Sequence, residues 1–303
     1  MSRLGLITAA LVLTASAAEA ATFTGGLSSY LIPQSGYYLF EVAGAQGGIG
    51  DGGIGGGGAI ISGNIYFHQG LNLSILVGGG GGVSFGDAAG GGGGMSFIAS
   101  GGSPIIVAGG GGGAHWFGGS IGGDATVDQG DGQGGFGRGA GAGFYSDGGA
   151  GLGPDYVTGE GGFSGPSWAG GSSNVGYIYG DPIPEGWDFP PYFYTSMGAP
   201  GGFGGGGGGG FNDGGGGGGF SGGSTEGGGT SFISPEAFSV VAVSGGNKGP
   251  FYFLHGILNS TSADGYVNIV LSAVPEPDTW ALLIVGFGAM GLRLRRRCVV
   301  DGI

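Results

Sequence analysis

The stretch Tyr38-Leu39-Phe40-Glu41-Val42-Ala43-Gly44-Ala45-Gln46-Gly47-Gly48 changes texture at Gly44. Before that point the chain is aromatic, branched and apolar over the length of a strand; after it, glycine takes over. The same passage recurs along the chain. Tyr37 to Val42, Ala59 to Phe67, Leu71 to Val77, Pro104 to Ala108, Phe238 to Val243 and Gly265 to Leu271 all have strand length and composition. Between them, ten of the fifteen residues from Gly44 to Gly58 are glycine. Gly78 to Gly82, Gly90 to Gly94 and Gly109 to Gly113 are unbroken runs, and Gly201 to Gly223 contains six other residues. No segment between the two chain ends reads as a helix.

Composition narrows the class. Of 303 residues, 89 are glycine, 13 are proline and one is cysteine. Collagen is excluded, because glycine comes in runs rather than at every third position and proline is scarce. An intramolecular disulfide is excluded by the single Cys298. Lysine plus arginine number 7 against 20 acids, a net charge of −13, which argues against a nucleic-acid partner. Simple disorder is disfavoured by 40% hydrophobic and 12% aromatic residues.

Ordering so much glycine costs ~0.5–1 kcal/mol per residue relative to alanine. One dense arrangement is open to glycine alone: extended threefold helices with no internal hydrogen bonds, whose bare backbones approach closely and bond to each other. The expected fold is therefore all-β, a jelly-roll-like β-sandwich with packed polyglycine (type II) helices, plus one short C-terminal hydrophobic helix. Flexible glycine linkers between strands are the alternative. A weak internal repeat runs through this body. Gly93-Gly94-Met95-Ser96-Phe97-Ile98 precedes Ile105-Ile106-Val107-Ala108, and Gly228-Gly229-Thr230-Ser231-Phe232-Ile233 precedes Val240-Val241-Ala242-Val243.

The two ends read as addresses. Arg3, the apolar stretch Leu4 to Leu13 and the triplet Ala18-Glu19-Ala20 predict a signal peptide over residues 1–20. At the other end, Pro275-Glu276-Pro277 is followed by Trp280, an apolar run to Leu292, and Arg293, Arg295, Arg296 and Arg297. This order resembles the PEP-CTERM sorting signal of Gram-negative bacteria. The resemblance implies recognition by exosortase, a membrane protease-transpeptidase, after an inner-membrane intermediate, with the product at the cell surface or outside. A helix over residues 280–292 would be roughly 20 Å long, short of the ~30 Å hydrocarbon core unless the arginines snorkel. By the positive-inside rule those arginines stay cytoplasmic. The expected organisation is a signal peptide at 1–20, a glycine-rich β domain at 21–272 with an aromatic and proline-containing insert at 154–200, and a sorting tail at 273–298.

Tyr38 to Gly48 also resembles the strand that opens the glycine-rich domain of the anaplastic lymphoma and leukocyte receptor tyrosine kinases. Leu73-Ser74-Ile75-Leu76-Val77-Gly78-Gly79, Ile106-Val107-Ala108-Gly109-Gly110-Gly111 and Asp264-Gly265-Tyr266-Val267-Asn268-Ile269 are similar to later junctions of that domain. The resemblance implies a sandwich fused to glycine helices. It implies no kinase activity, since neither His-Arg-Asp nor Asp-Phe-Gly occurs.

Catalytic and cofactor motifs do not assemble. Gly-x-Gly-x-x-Gly matches follow from composition and lack a strand-to-helix context. Asp51, Asp124, Asp128 and Asp131 do not reproduce a calcium repeat and read as solvated acids. His68, His115 and His255 lack ligand spacing and cysteine partners, so no metal or cofactor site is expected. The insert is the most distinctive stretch. Trp168, Tyr177, Tyr179 and Trp187 lie near Glu160, Asp181, Glu185 and Asp188, a mixture suited to stacking on sugar rings. The plainer alternative is a cap whose aromatics plug the sandwich end. The expectation is a non-enzymatic, exosortase-sorted surface or matrix protein associated with biofilm or exopolysaccharide. A glycan- or ligand-binding module is the second reading and an ice-binding protein the third.

Overall fold

A computed structural model describes residues 20–50, 53–84, 88–115, 121–137, 139–149, 162, 168–171, 175–178, 194–210, 213–250, 252–254, 257–259, 262–272 and 284–287. The fold is all-β, as the sequence predicts. One antiparallel sheet has the order β1-β14-β3-β4-β11, formed by Ala20–Phe23, Tyr266–Leu271, Gly36–Ala43, Gly58–Phe67 and Phe238–Asn247. A second has the order β10-β7-β6-β5-β2, formed by Phe232–Ile233, Ser103–Ala108, Ser96–Ser100, Asn72–Val77 and Gly26–Leu31. Two short antiparallel pairs complete the described strands: β8 (Val175–Ile178) with β9 (Tyr194–Met197), and β12 (Tyr252–Leu254) with β13 (Ile257–Asn259).

The two large sheets share one core. Period-two alternation turns Tyr38, Phe40 and Val42 of β3 inward, with Ile61 and Ile65 of β4 and Val267 and Ile269 of β14. They meet Leu73, Ile75 and Val77 of β5, Ile98 of β6 and Ile106 of β7. The hydroxyl of buried Tyr38 donates to the Gln34 carbonyl at 2.8 Å, so its polar tip is satisfied. The second sheet is buried on its other face as well. Leu76, Phe97 and Val107, each one residue out of phase with the first core, pack with Met95, Phe144, Trp168 and Phe220. A sheet covered on both faces loses its polar alternation, which is why β6 reads as Ser-Phe-Ile-Ala-Ser with its first four residues buried.

Register places the glycine. Ala43 at the end of β3 pairs with Ile60 and with Tyr266, and Asn247 of β11 pairs with Gly58. In the other sheet Ser96 opens β6 opposite Ala108, the last residue of β7, and Phe232 of β10 pairs with Val107. The runs between β3 and β4 and between β5 and β6, and the run that follows β7, therefore meet the sandwich at the same end. The far end is closed by tight connections such as Gly101-Gly102, whose φ values of 56° and 81° suit the two-residue turn between β6 and β7.

β1 begins at Ala20, the last residue of the predicted signal peptide, and Ala21 pairs with Ile269, so the predicted mature segment enters the first sheet at once as an edge strand. Residues 1–19 lie outside the described residues. The two halves of the internal repeat diverge: β6 and β7 form one hairpin, whereas β10 joins the second sheet and β11 crosses to the first. Of the expected membrane segment, residues 284–287 are described; they are helical and their apolar side chains are exposed. Among the described residues no helix is long and apolar enough to cross a membrane.

Candidate functional site

The glycine runs are packed against each other, and their hydrogen bonds follow a rule. Gly90, Gly91 and Gly92 donate to the carbonyls of Ala114, Gly82 and Gly207 at 2.9, 3.2 and 2.8 Å. Gly93, Gly94 and Met95 then donate to Gly111, Gly79 and Gly204, at 2.8, 3.0 and 2.9 Å, returning to the same three neighbours in the same order. The next run behaves alike: Gly110 and Gly113 donate to Gly218 and Gly215, while Gly111 and Ala114 donate to Ala45 and Gly48. A strand donates to alternate sides with period two, and an α-helix bonds within itself. Here the period is three and the bonds are between runs.

Close approach explains the residue type. A Cβ built on Gly111 would fall inside 3.0 Å of both the carbonyl carbon and the oxygen of Gly56. One on Gly217 would collide in the same way with Gly110, and one on Gly92 with Gly216. These atoms belong to backbone that is itself hydrogen-bonded, so it has nowhere to move. The hydrogen occupying each Cβ position points at a carbonyl oxygen, an arrangement that also favours weak Cα–H···O contacts.

Three buried polar side chains join the runs to the sandwich: Gln46, Ser96 and Ser231. Ser96 Oγ accepts from the N–H of Gly78, the first residue of its run, at 3.0 Å. Ser231 Oγ accepts from the N–H of Gly109, the first residue of another run, at 3.2 Å, and donates to the Thr126 carbonyl at 2.7 Å. The repeated Ser-Phe-Ile therefore supplies the same junction twice. Gln46 Oε1 accepts from Gly249 N–H at 2.7 Å and Ala263 N–H at 3.2 Å, while Nε2 donates to the Gly55 carbonyl at 3.2 Å. Sequence reasoning assigned no role to these residues. The serine repeat is a usable signal for two of them, whereas Gln46 finds its partners only after the chain has closed.

Of the expected glycan residues, Trp168 is the one whose side chain is described. Trp168 is turned inward, 8% exposed, with ring centroids 5.1 Å from Phe97 and 5.7 Å from Phe144. That is a correction to the sugar-stacking role of Trp168: its faces are taken by the second core, on the outer face of the second sheet rather than at the sandwich end. Tyr177 lies on β8; Tyr179 and Trp187 lie outside the described residues. Exposed aromatics do occur on the outward face of the first sheet. Tyr37 lies edge-on to Tyr66 at 5.2 Å and to Phe238 at 5.4 Å.

Asp124 and Asp131 are not simply solvated, and Asp51 lies outside the described residues. Asp124 accepts the Gly57 N–H at 2.7 Å and pairs with Lys248 at 2.9 Å. Asp131 accepts from Gln133 N–H and Ser221 Oγ, which hold its carboxyl below the usual range. A convergence the sequence does not reveal is that of His115, Asp213 and Glu226, one potential ligand atom from each lying within 4.8 Å of the others. His68 instead stacks edge-on against Tyr66 at 5.1 Å, and His255 lies outside the described residues.

A family model of the PEP-CTERM protein-sorting motif matches residues 273–297. The tail is a sorting signal. It contains Pro275, Glu276, Pro277, Trp280, Arg293, Arg295, Arg296 and Arg297, all outside the described residues. The motif marks the chain as an exported, exosortase-sorted surface protein. No curated protein matches the chain, and the resemblance to the receptor glycine-rich domain gains no support from that comparison.

Proposed function

We propose that the chain is a non-catalytic structural protein of the cell surface or extracellular matrix, associated with biofilm or exopolysaccharide. In this reading the sorting tail delivers a rigid payload, and the payload is a bundle of threefold polyglycine (type II) helices fixed to one end of a β-sandwich. The observation that carries it is the return of the amides of residues 90–95 and 110–114 to the same neighbouring run every third residue, the repeat of a helix with three residues per turn. A lattice of this kind presents backbone rather than reactive side chains, which suits a load-bearing or space-filling role. The link with polysaccharide rests on the sorting route, since exosortase systems usually accompany polysaccharide export.

Mass spectrometry of the surface form tests the route. Its C-terminus is expected near Pro277; a surface form that retains Arg297 refutes processing.

A second reading is favoured by one observation. Tyr37, Tyr66 and Phe238 are 42%, 43% and 46% exposed on one sheet face, a platform suited to sugar rings. Retention of the protein on its host's secreted polysaccharide, compared with that of Tyr37→Ala and Tyr66→Ala, decides it. Unchanged retention in both variants discards glycan binding by this face.

A further inference from the structure

We propose that His115, Asp213 and Glu226 form a structural site for one first-row divalent transition ion of the zinc class. The ion would clip three glycine stretches together at their ends. This inference does not depend on the sorting reading.

The carriers are already fixed. His115 follows the run Gly109 to Ala114, Asp213 precedes the run Gly214 to Gly219, and Glu226 sits in the turn between Ser224 and Gly227. Gly113 N–H donates to the Gly215 carbonyl at 2.7 Å, and Glu226 N–H donates to the Gly214 carbonyl at 2.9 Å. Glu226 is one of three described non-glycine residues with positive φ, at 62°. Its backbone is pinned there because its carbonyl also accepts from Gly123 N–H at 2.7 Å.

The ligand atoms point the same way. His115 Nε2 lies 3.6 Å from Glu226 Oε1, with both side chains about two-thirds covered at 30% and 33% exposure. Two ligands on one tetrahedral ion, each bonded at ~2.0–2.2 Å, stand roughly 3.3–3.6 Å apart. The His–Glu pair is already at that spacing, and Asp213 completes a set in which no separation exceeds 4.8 Å. Gly214 N–H donates to the same Glu226 oxygen at 3.4 Å, an outer contact that orients the carboxylate.

Charge and ligand type select the ion. Two carboxylates converge in a chain of net charge −13. Lys248, one of two cations between residues 21 and 272, is engaged by Asp124 instead. A divalent ion relieves the repulsion between the two acids. One imidazole nitrogen with two carboxylate oxygens favours zinc or a neighbouring transition ion over calcium, which takes six to eight oxygens.

The test is calorimetric titration of the purified full-length chain with Zn²⁺ alone, followed by thermal unfolding. The expected result is one equivalent bound, with a rise in unfolding temperature that saturates at that equivalent. His115→Ala and the near-isosteric Asp213→Asn and Glu226→Gln are each expected to weaken binding by at least about tenfold. His68→Ala is expected to leave it unchanged. Circular dichroism confirms that each variant is folded before titration. No binding by the parent chain, binding equally tight in Asp213→Asn and Glu226→Gln, or displacement of Zn²⁺ by equimolar Ca²⁺ overturns the assignment. The first two outcomes leave a plain His115–Glu226 contact.

Discussion

Replacing Gly111 by alanine adds one methyl group to the centre of the glycine lattice. Its amide donates to the Ala45 carbonyl at 2.9 Å, and its carbonyl accepts from Gly93 at 2.8 Å. The new methyl would land on the Gly56 carbonyl, whose own amide is held by Gly112 at 2.8 Å. Overpacking of this kind costs about 1–3 kcal/mol. Forcing the runs apart also strains at least two buried hydrogen bonds, each worth about 1 kcal/mol. Against this, alanine restricts the unfolded chain and returns about 0.4–1 kcal/mol. The net expectation is a loss of about 2–4 kcal/mol, a large share of the ~5–15 kcal/mol that holds a domain together. Gly36→Ala is the control, because an added Cβ there meets only the end of the flexible Leu271 side chain, at 3.0 Å. Urea unfolding of both variants reads the difference directly. Gly36→Ala should match or slightly exceed the parent chain. If Gly111→Ala unfolds within about 0.5 kcal/mol of Gly36→Ala, the close-packed lattice is refuted.

Other consequences are as specific. Ser96→Ala and Ser231→Ala each strand a buried amide at the head of a glycine run, Gly78 or Gly109, and should each cost about 1–3 kcal/mol in urea unfolding. Trp168→Ala should cost about 3–5 kcal/mol through the cavity left beside Phe97 and Phe144, and a stability equal to the parent's would show that the side chain is not part of that core. Burial, then a hydrogen bond to Glu41 and that residue's charge, push the Tyr266 hydroxyl up to about 12 from its ordinary 10.0. A group whose folded pKa is raised contributes its full stability below the unfolded pKa and loses it as pH rises. Stability should therefore fall between pH 10.0 and about 12 in the parent chain and less so in Tyr266→Phe; parallel profiles would contradict the raised pKa of Tyr266.

The sandwich was legible because burial writes a period of two into sequence. Tyr38, Phe40 and Val42 alternate with Tyr37, Leu39 and Glu41, and β3 begins and ends within a residue of where that pattern does. Strands without the pattern are harder to read: β2, Gly26–Leu31, carries two serines and has no signal of its own, and β10, two residues long, shows only as the Ser-Phe-Ile of the internal repeat. The insert misled by composition: an aromatic residue among acids looks the same whether it faces solvent or, like Trp168, fills a core. The lattice was legible as a need, since so much glycine demands either looseness or dense packing, but its partners were not. Gly92 bonds to Gly207, and nothing local in either run distinguishes that neighbour from another. The same distance hid His115, Asp213 and Glu226, which occupy three separate glycine junctions and share no spacing. Polar joints were partly readable, because Ser96 and Ser231 occupy equal places in a repeat, whereas Gln46 looks like any polar residue after a strand.

Amide hydrogen exchange in the glycine runs addresses the central claim most directly. The amides of Gly91 to Gly94 and Gly110 to Gly113 all donate to carbonyls of other runs. If the lattice is rigid, these amides exchange as slowly as those of β3 and β4, with protection approaching that of global unfolding. Exchange at the rate of a free glycine peptide, while β3 and β4 stay protected, would mean that the runs are loose and the account is wrong.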